Sequence, residues 1–386
     1  MKRFTYHVPT EIRFGRDQFE CLEKEIGKYG KKILLVHGDG SIKKNGLFDR
    51  IRKVLKDFEI RDLGGVTPNP KLSAVKEGVS ICKKEGIEAV LAVGGGSVID
   101  TAKLVACAAN YDGDPWELIT DPSKVTKALP IFTVRTTLAT GSEMNSVAVI
   151  CNEETKEKLE LDHPLLYPKL SICDPSCLST LSKEQMASGI VDIFTQILEL
   201  NFQAEEGGCV MEQQSETALK TLIKYGPAVL AEPENYEAGY ALMWTGSFAL
   251  SQLSALGRGG ICSVSPMARE LSIHYDTPHG IGMSLLMIEW MRFVLTEETQ
   301  EKFAKYARLI WNVQYDDDHT AARVGIDRME EFFRKLGMPR MLSDFDVDDS
   351  HFAEMASEAV RIADLENKAY VSLSASDVEQ IYRNCW

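Results

Sequence analysis

The segment AVLAVGGGSVIDTAK, Ala89 to Lys103, constrains the fold more than any other stretch of the chain. An unbroken apolar run ends in Gly94-Gly95-Gly96-Ser97, and a helical pattern starts at once. Apolar runs of this kind are strands buried on both faces of a parallel sheet. The unit recurs. KKILLVHGDGSIKKNGLFDRIRKVLKDF reads as strand, glycine turn and helix, and KLSAVKEGVSICKKEG places a helix before the Ala89 strand. KALPIFTVRTTLATGSE adds a strand that ends in hydroxyl-bearing residues, while FTYHVPTEIRFGRDQ alternates like edge strands around a proline turn. Strands alternating with helices, with glycine at the strand C-termini, predict a parallel sheet with helices on both faces.

The pattern changes after YPKLSICDPSCLSTLSKEQ. From about Lys183 onward the periodicity is helical, in segments such as SETALKTLIKYGPAVLAEP, YEAGYALMWTGSFALSQLSALG and IGMSLLMIEWMRFVL. An α/β domain over 1–180 and an all-helical domain over 181–386 follow from this. The 386 residues suit two or three domains. A net charge of −14 argues against a nucleic-acid or anionic-membrane surface. The start MKRFTYHVPTEIRFGRD lacks the apolar core of a signal peptide, and no apolar stretch approaches the ~18 residues of a spanning helix. The nine cysteines are odd in number and scattered, as expected of reduced thiols in a cytoplasmic protein.

Two places carry chemistry. At the first, Gly94–Ser97 lets the backbone approach a pyrophosphate, and the following helix N-terminus offers free N–H groups. The spacing is not G-x-G-x-x-G, so a tight strand-to-helix turn is the competing reading. TTLATGSE weighs against it, because Thr136, Thr137, Thr140 and Ser142 can all donate to phosphate or ribose oxygens from a neighbouring strand end. At the second, GIVDIFTQILEL sets Asp192 and Gln196 four residues apart on one face of an otherwise apolar helix. That spacing suits two metal ligands, yet only the acid is a good one.

VGGGSVIDTAK, TTLATGSE, VTPNP and LYPKLSICDPS together resemble the iron-containing (group III) alcohol dehydrogenase family, in its butanol dehydrogenase-like branch. The likeness is collinear over essentially the whole chain. It implies an α/β plus all-α fold: an N-terminal Rossmann-like parallel-sheet domain and a C-terminal helical domain in a dehydroquinate synthase-like architecture. It further implies a homodimer, NAD or NADP in a cleft and a divalent metal (Fe or Zn) held by the helical domain. The family's cofactor contacts fall on Gly38, Asp39, Ser41, Asn69, Gly95, Gly96, Ser97, Asp100, Thr137, Thr140, Ser142 and Lys158. For the adenosine ribose, Gly38 with Ser41, Lys43 and Lys44 resembles the NADP-using branch, whereas Asp39 suits NAD; the balance tips slightly to NADP.

The family's metal ligands are an Asp, a His one turn later and two further His fourteen residues apart. They fall here on Asp192, Gln196, Ser265 and His279, so two of four imidazoles or carboxylates are replaced, and a further family His becomes Arg269. A catalytic zinc normally keeps three good protein ligands. Ser265 and Arg269, one turn apart, are expected to face the same cleft as Gln196. Three readings follow: an NAD(P)-dependent oxidoreductase interconverting an alcohol and an aldehyde or ketone, with His279 as proton donor; a nucleotide-binding homologue that has lost this activity; and a metal-free enzyme for an anionic substrate clamped by Arg269.

Overall fold

The computed structural model describes residues 2–38, 40–44, 46–203 and 208–386. Eight strands are present among them: β1 (Glu11–Phe14), β2 (Lys32–Gly38), β3 (Glu59–Val66), β4 (Ala89–Gly94), β5 (Ile131–Arg135), β6 (Val147–Asn152), β7 (Glu157–Asp162) and β8 (Leu170–Cys173). Six of them form one sheet in the order β1-β8-β5-β4-β2-β3, and every pairing in it is parallel.

The alternation of side chains along a strand divides the core into two layers. Leu34 and Val36 of β2 join Val90 and Ala92 of β4 on one face, against the helices Leu72–Glu85 and Gly96–Ala108. Ile33, Leu35, Leu91 and Val93 point the other way, with Phe132 and Val134, onto the helices Cys21–Ile26 and Leu47–Val54. β4 and β5 are buried along their whole length, while β1 and β3 are the more exposed edges. β3, and the antiparallel hairpin of β6 with β7, are strands that the sequence pattern does not predict.

The chain forms two compact units. The first joins Tyr6–Leu181 with Pro233–Ser251, so the helix Tyr236–Ala249 belongs to the sheet-bearing unit. The other gathers Ser182–Glu232 and Gln252–Trp386 with the N-terminal residues. It is helical: its first helix, Lys183–Asn201, opens on a capping box in which Ser182 Oγ accepts from Gln185 N at 3.1 Å and Gln185 Oε1 from Ser182 N at 3.2 Å. Among the described residues no helix is long and apolar enough to cross a membrane.

Candidate active site

In the sheet-bearing unit, β4 and β5 run side by side with Gly94 opposite Arg135, and Thr136 N donates to Gly94 O at 3.0 Å. This register brings the two loops that follow them together. A Cβ on Gly95 would lie 2.9 Å from Thr137 Oγ1, and one on Gly96 would lie 2.6 Å from Thr140 Oγ1. Only glycine leaves the threonine hydroxyls facing bare backbone. Gly95 caps the thirteen-residue helix Gly96–Ala108 with no side-chain hydrogen bond, so the first amides of the helix lack an internal acceptor. Thr137 Oγ1 is buried with no partner among the described residues. Free amides, a positive helix end and a waiting hydroxyl fit a dinucleotide pyrophosphate.

The loop after β5 is held from below by charge. Arg135 and Glu143, both fully buried, form an ion pair shared with Ser247 Oγ, and Arg135 Nε donates to Thr137 O at 2.7 Å. Asp100 accepts from Ser142 Oγ at 2.6 Å and from Val149 N at 3.1 Å. Burial pushes its carboxyl up, against the pull of nearby Lys103. Its role here is to tie the helix to the TTLATGSE loop. Lys158 Nζ donates to Asn69 Oδ1 at 2.8 Å, and Asn69 adopts a left-handed φ of 56°, a conformation asparagine tolerates. Gly38 ends β2, where a Cβ would meet Val66 O at 3.5 Å. The half-buried Ser97 stands in the first turn of the 96–108 helix. Asp39 lies outside the described residues, and of Ser41 only the backbone is described, in the short helix Ser41–Lys44.

In the helical unit, the helices Lys183–Asn201 and His279–Phe293 pass close to each other at a glycine. A Cβ on Gly280 would sit 2.4 Å from Ser188 O. Ser188 precedes Asp192 by one helical turn, so this approach delivers His279 to the polar stripe of the first helix. His279 Nε2 lies 4.0 Å from Asp192 Oδ1 and 3.2 Å from Gln196 Nε2. The Gln196 amide and the His279 imidazole are thus within hydrogen-bonding distance, and which of them donates follows the tautomer of the ring.

Ser265 does not join this group through its hydroxyl. It is buried and donates to Glu199 Oε2, while the Val264 and Ser265 amides donate to Glu199 Oε1, that of Ser265 at 2.9 Å. Glu199 thus caps the helix Val264–Tyr275 from another helix. Burial raises its carboxyl pKa, and the helix amides, Ser265 and the nearby Arg269 guanidinium pull the other way. Arg269, half-buried, stands in the field of the Glu199 and Glu270 carboxylates. Sequence reasoning missed Glu199, although Asp192, Gln196 and Glu199 at i, i+4 and i+7 form one helical stripe.

Residues 9–175 match the family model for iron-containing alcohol dehydrogenase, and residues 186–386 match that for the C-terminal region of the Fe-containing alcohol dehydrogenase family. The NADH-dependent butanol dehydrogenase A of Clostridium acetobutylicum is 39% identical over 100% of both chains. The NADPH-dependent aldehyde reductase YqhD of Escherichia coli is 32% identical over 91% of each. The crystal structure of NADH-dependent butanol dehydrogenase A from Thermotoga maritima superposes with a TM-score of 0.94 at 36% identity, covering 100% of this chain and 99% of that one. The chain belongs to the iron-containing alcohol dehydrogenase family. It is an oxidoreductase of the alcohol dehydrogenase type.

Proposed function

We propose that this enzyme works chiefly as an NADH-dependent reductase of small aldehydes, without a tightly held catalytic metal. What carries the reading is the fate of the second and third ligand positions. Gln196 offers an amide to His279, and Ser265 is committed to Glu199. Asp192 and His279 alone are too few for a firm zinc or iron site, since an amide or alcohol oxygen is a weak ligand for such ions.

The direction of reaction follows from magnitudes. Bound zinc can lower the pKa of water from about 15.7 to about 7, worth roughly 12 kcal/mol at about 1.36 kcal/mol per unit. A charge-assisted hydrogen bond contributes about 1.5–3 kcal/mol. Hydrogen bonds alone are a poor means of ionising an alcohol but are adequate to polarise an electrophilic aldehyde. The reduced nicotinamide, when bound, supplies the hydride. Gly95, Gly96 and the amides at the start of the 96–108 helix hold the pyrophosphate, with Thr137, Thr140 and Ser97 beside them, and Lys158, Asn69, Ser142 and Asp100 shape the remainder.

His279 serves the proton. As imidazolium it has the Asp192 carboxylate for a counter-charge and can protonate the developing alkoxide. Gln196 suits both states of the ring, because its amide can present nitrogen to the neutral imidazole or oxygen to the charged one. Two relatives, 39% and 40% identical over 100% and 99% of this chain, are named for NADH, which favours NAD over NADP, with Asp39 to accept from the ribose 2′-OH. Arg269 as an anion clamp loses support from the two carboxylates whose field it occupies. A homodimer in the cytoplasm belongs to the same reading, supported by the family and by nine free thiols.

The test is oxidation of NADH and NADPH across an aldehyde panel, with chelator and with added Zn²⁺, Fe²⁺ or Mn²⁺. Turnover of straight-chain aldehydes with NADH in chelator supports the reading. Binding of NADH without turnover under every condition would support the inactive, nucleotide-binding alternative instead.

A further inference from the structure

A second group of metal-binding side chains lies at the other end of the helix that carries Ser265. His274 stands in the last turn of the helix Val264–Tyr275, nine residues beyond Ser265 and so about 13 Å along the axis. His351 is the N-cap of the helix Phe352–Ala363, and Glu354 stands in its first turn. One donor atom from each of His274, His351 and Glu354 lies within 4.8 Å of the other two. The imidazole rings of His274 and His351 are 4.7 Å apart between centroids, and His351 Nδ1 is 3.1 Å from Glu354 Oε2.

We propose that His274, His351 and Glu354 bind a borderline divalent cation such as Zn²⁺, and that the ion ties the end of the 264–275 helix to the start of the 352–363 helix. Two imidazoles and a carboxylate are the donors that zinc selects, whereas magnesium and calcium favour oxygen alone. Donors on one tetrahedral zinc, at about 2.1 Å each, stand roughly 3.4 Å apart. The His351–Glu354 pair is already at that separation, and modest side-chain rotation brings in His274. The surroundings favour a cation. His274 sits at the negative end of its helix, and Glu270 Oε2 lies 3.8 Å from His274 Nε2, where it can orient the ring. Glu358, one turn beyond Glu354, adds a further carboxylate to the field at Glu270.

Closure would have a structural consequence. Ser272 Oγ donates to Thr277 O at 3.0 Å, so the turn leading to His279 is anchored on the same helical end that the ion would fix. His351 and Glu354 are 42% and 61% exposed, so changing them leaves the core intact.

The experiment is calorimetric titration of Zn²⁺ alone into the full chain, stripped with chelator and desalted. Wild-type protein, His351→Ala, Glu354→Gln, their double variant and Asp192→Asn are compared. The expected result is one Zn²⁺ per chain, at least tenfold weaker in each single variant and lost in the double variant, with Asp192→Asn unchanged. The inference is overturned if wild-type protein takes no Zn²⁺, if the double variant binds it as wild type does, or if Asp192→Asn abolishes it.

Discussion

An amide at 196 and an imidazole at 279 handle protons and metals differently, and the site's chemistry follows from that difference. An imidazole in place of the amide would face Asp192 and His279 from the same helical stripe. Gln196→His therefore raises the ligand count to three, and, made in the His351→Ala/Glu354→Gln background, it is expected to copurify with close to one zinc or iron per chain, read by elemental analysis. No gain in bound metal would show that Asp192 and His279 are not arranged as ligands. The spacing of Asp192 and Gln196 was legible in the sequence because i, i+4 geometry is local. Glu199 was not, since its partners are helix amides more than sixty residues away and a buried carboxylate in an apolar run gives no sign of what neutralises it.

Lys103 is a second residue whose state is set by burial. Its Nζ donates to Asn145 O, Asn145 Oδ1 and Val147 O, and burial pushes its pKa down to about 8 from 10.5, with Asp100 opposing. Below about pH 8 both folded and unfolded chains carry the proton, and the folded state bears the full cost. Between that value and 10.5 the unfolded chain binds more protons, so stability rises with pH across this window. Urea unfolding of wild type against Lys103→Met, from pH 7.5 to 10, should show this rise in wild type only, about 1.4 kcal/mol per unit at most. Parallel slopes would contradict it.

Among the elements, the approach of the 183–201 and 279–293 helices decides whether a site exists. Gly280→Ala places a methyl group 2.4 Å from Ser188 O, so the helices must separate. Overpacking of this kind costs about 1–3 kcal/mol. The expected outcome is a lower unfolding midpoint and a fall in kcat of tenfold or more, because His279 moves away from Gln196. A variant with wild-type kcat would show that this contact does not set the geometry. The central strands were readable from their apolar runs. β3 was not, because its residues are mostly exposed, and the alternation in β6 went unread beside stronger glycine signals.

At the scale of the whole molecule, a parallel sheet followed by a helical region was written in the switch of period near Lys183. Membership of the Tyr236–Ala249 helix in the sheet-bearing unit was not, since helical periodicity reports an apolar face without naming what covers it. The same holds for the proposed dinucleotide cradle. Its glycines were visible in sequence, but the buried Arg135–Glu143–Ser247 group that supports the threonine loop depends on residues from two distant segments. Whether Asp192 and His279 hold a metal is decided by elemental analysis of the His351→Ala/Glu354→Gln protein, purified without chelator, alongside its aldehyde-dependent NADH oxidation. Far less than one zinc or iron per chain is expected, with turnover retained in chelator. One firmly bound ion per chain, lost together with turnover in Asp192→Asn, would contradict it.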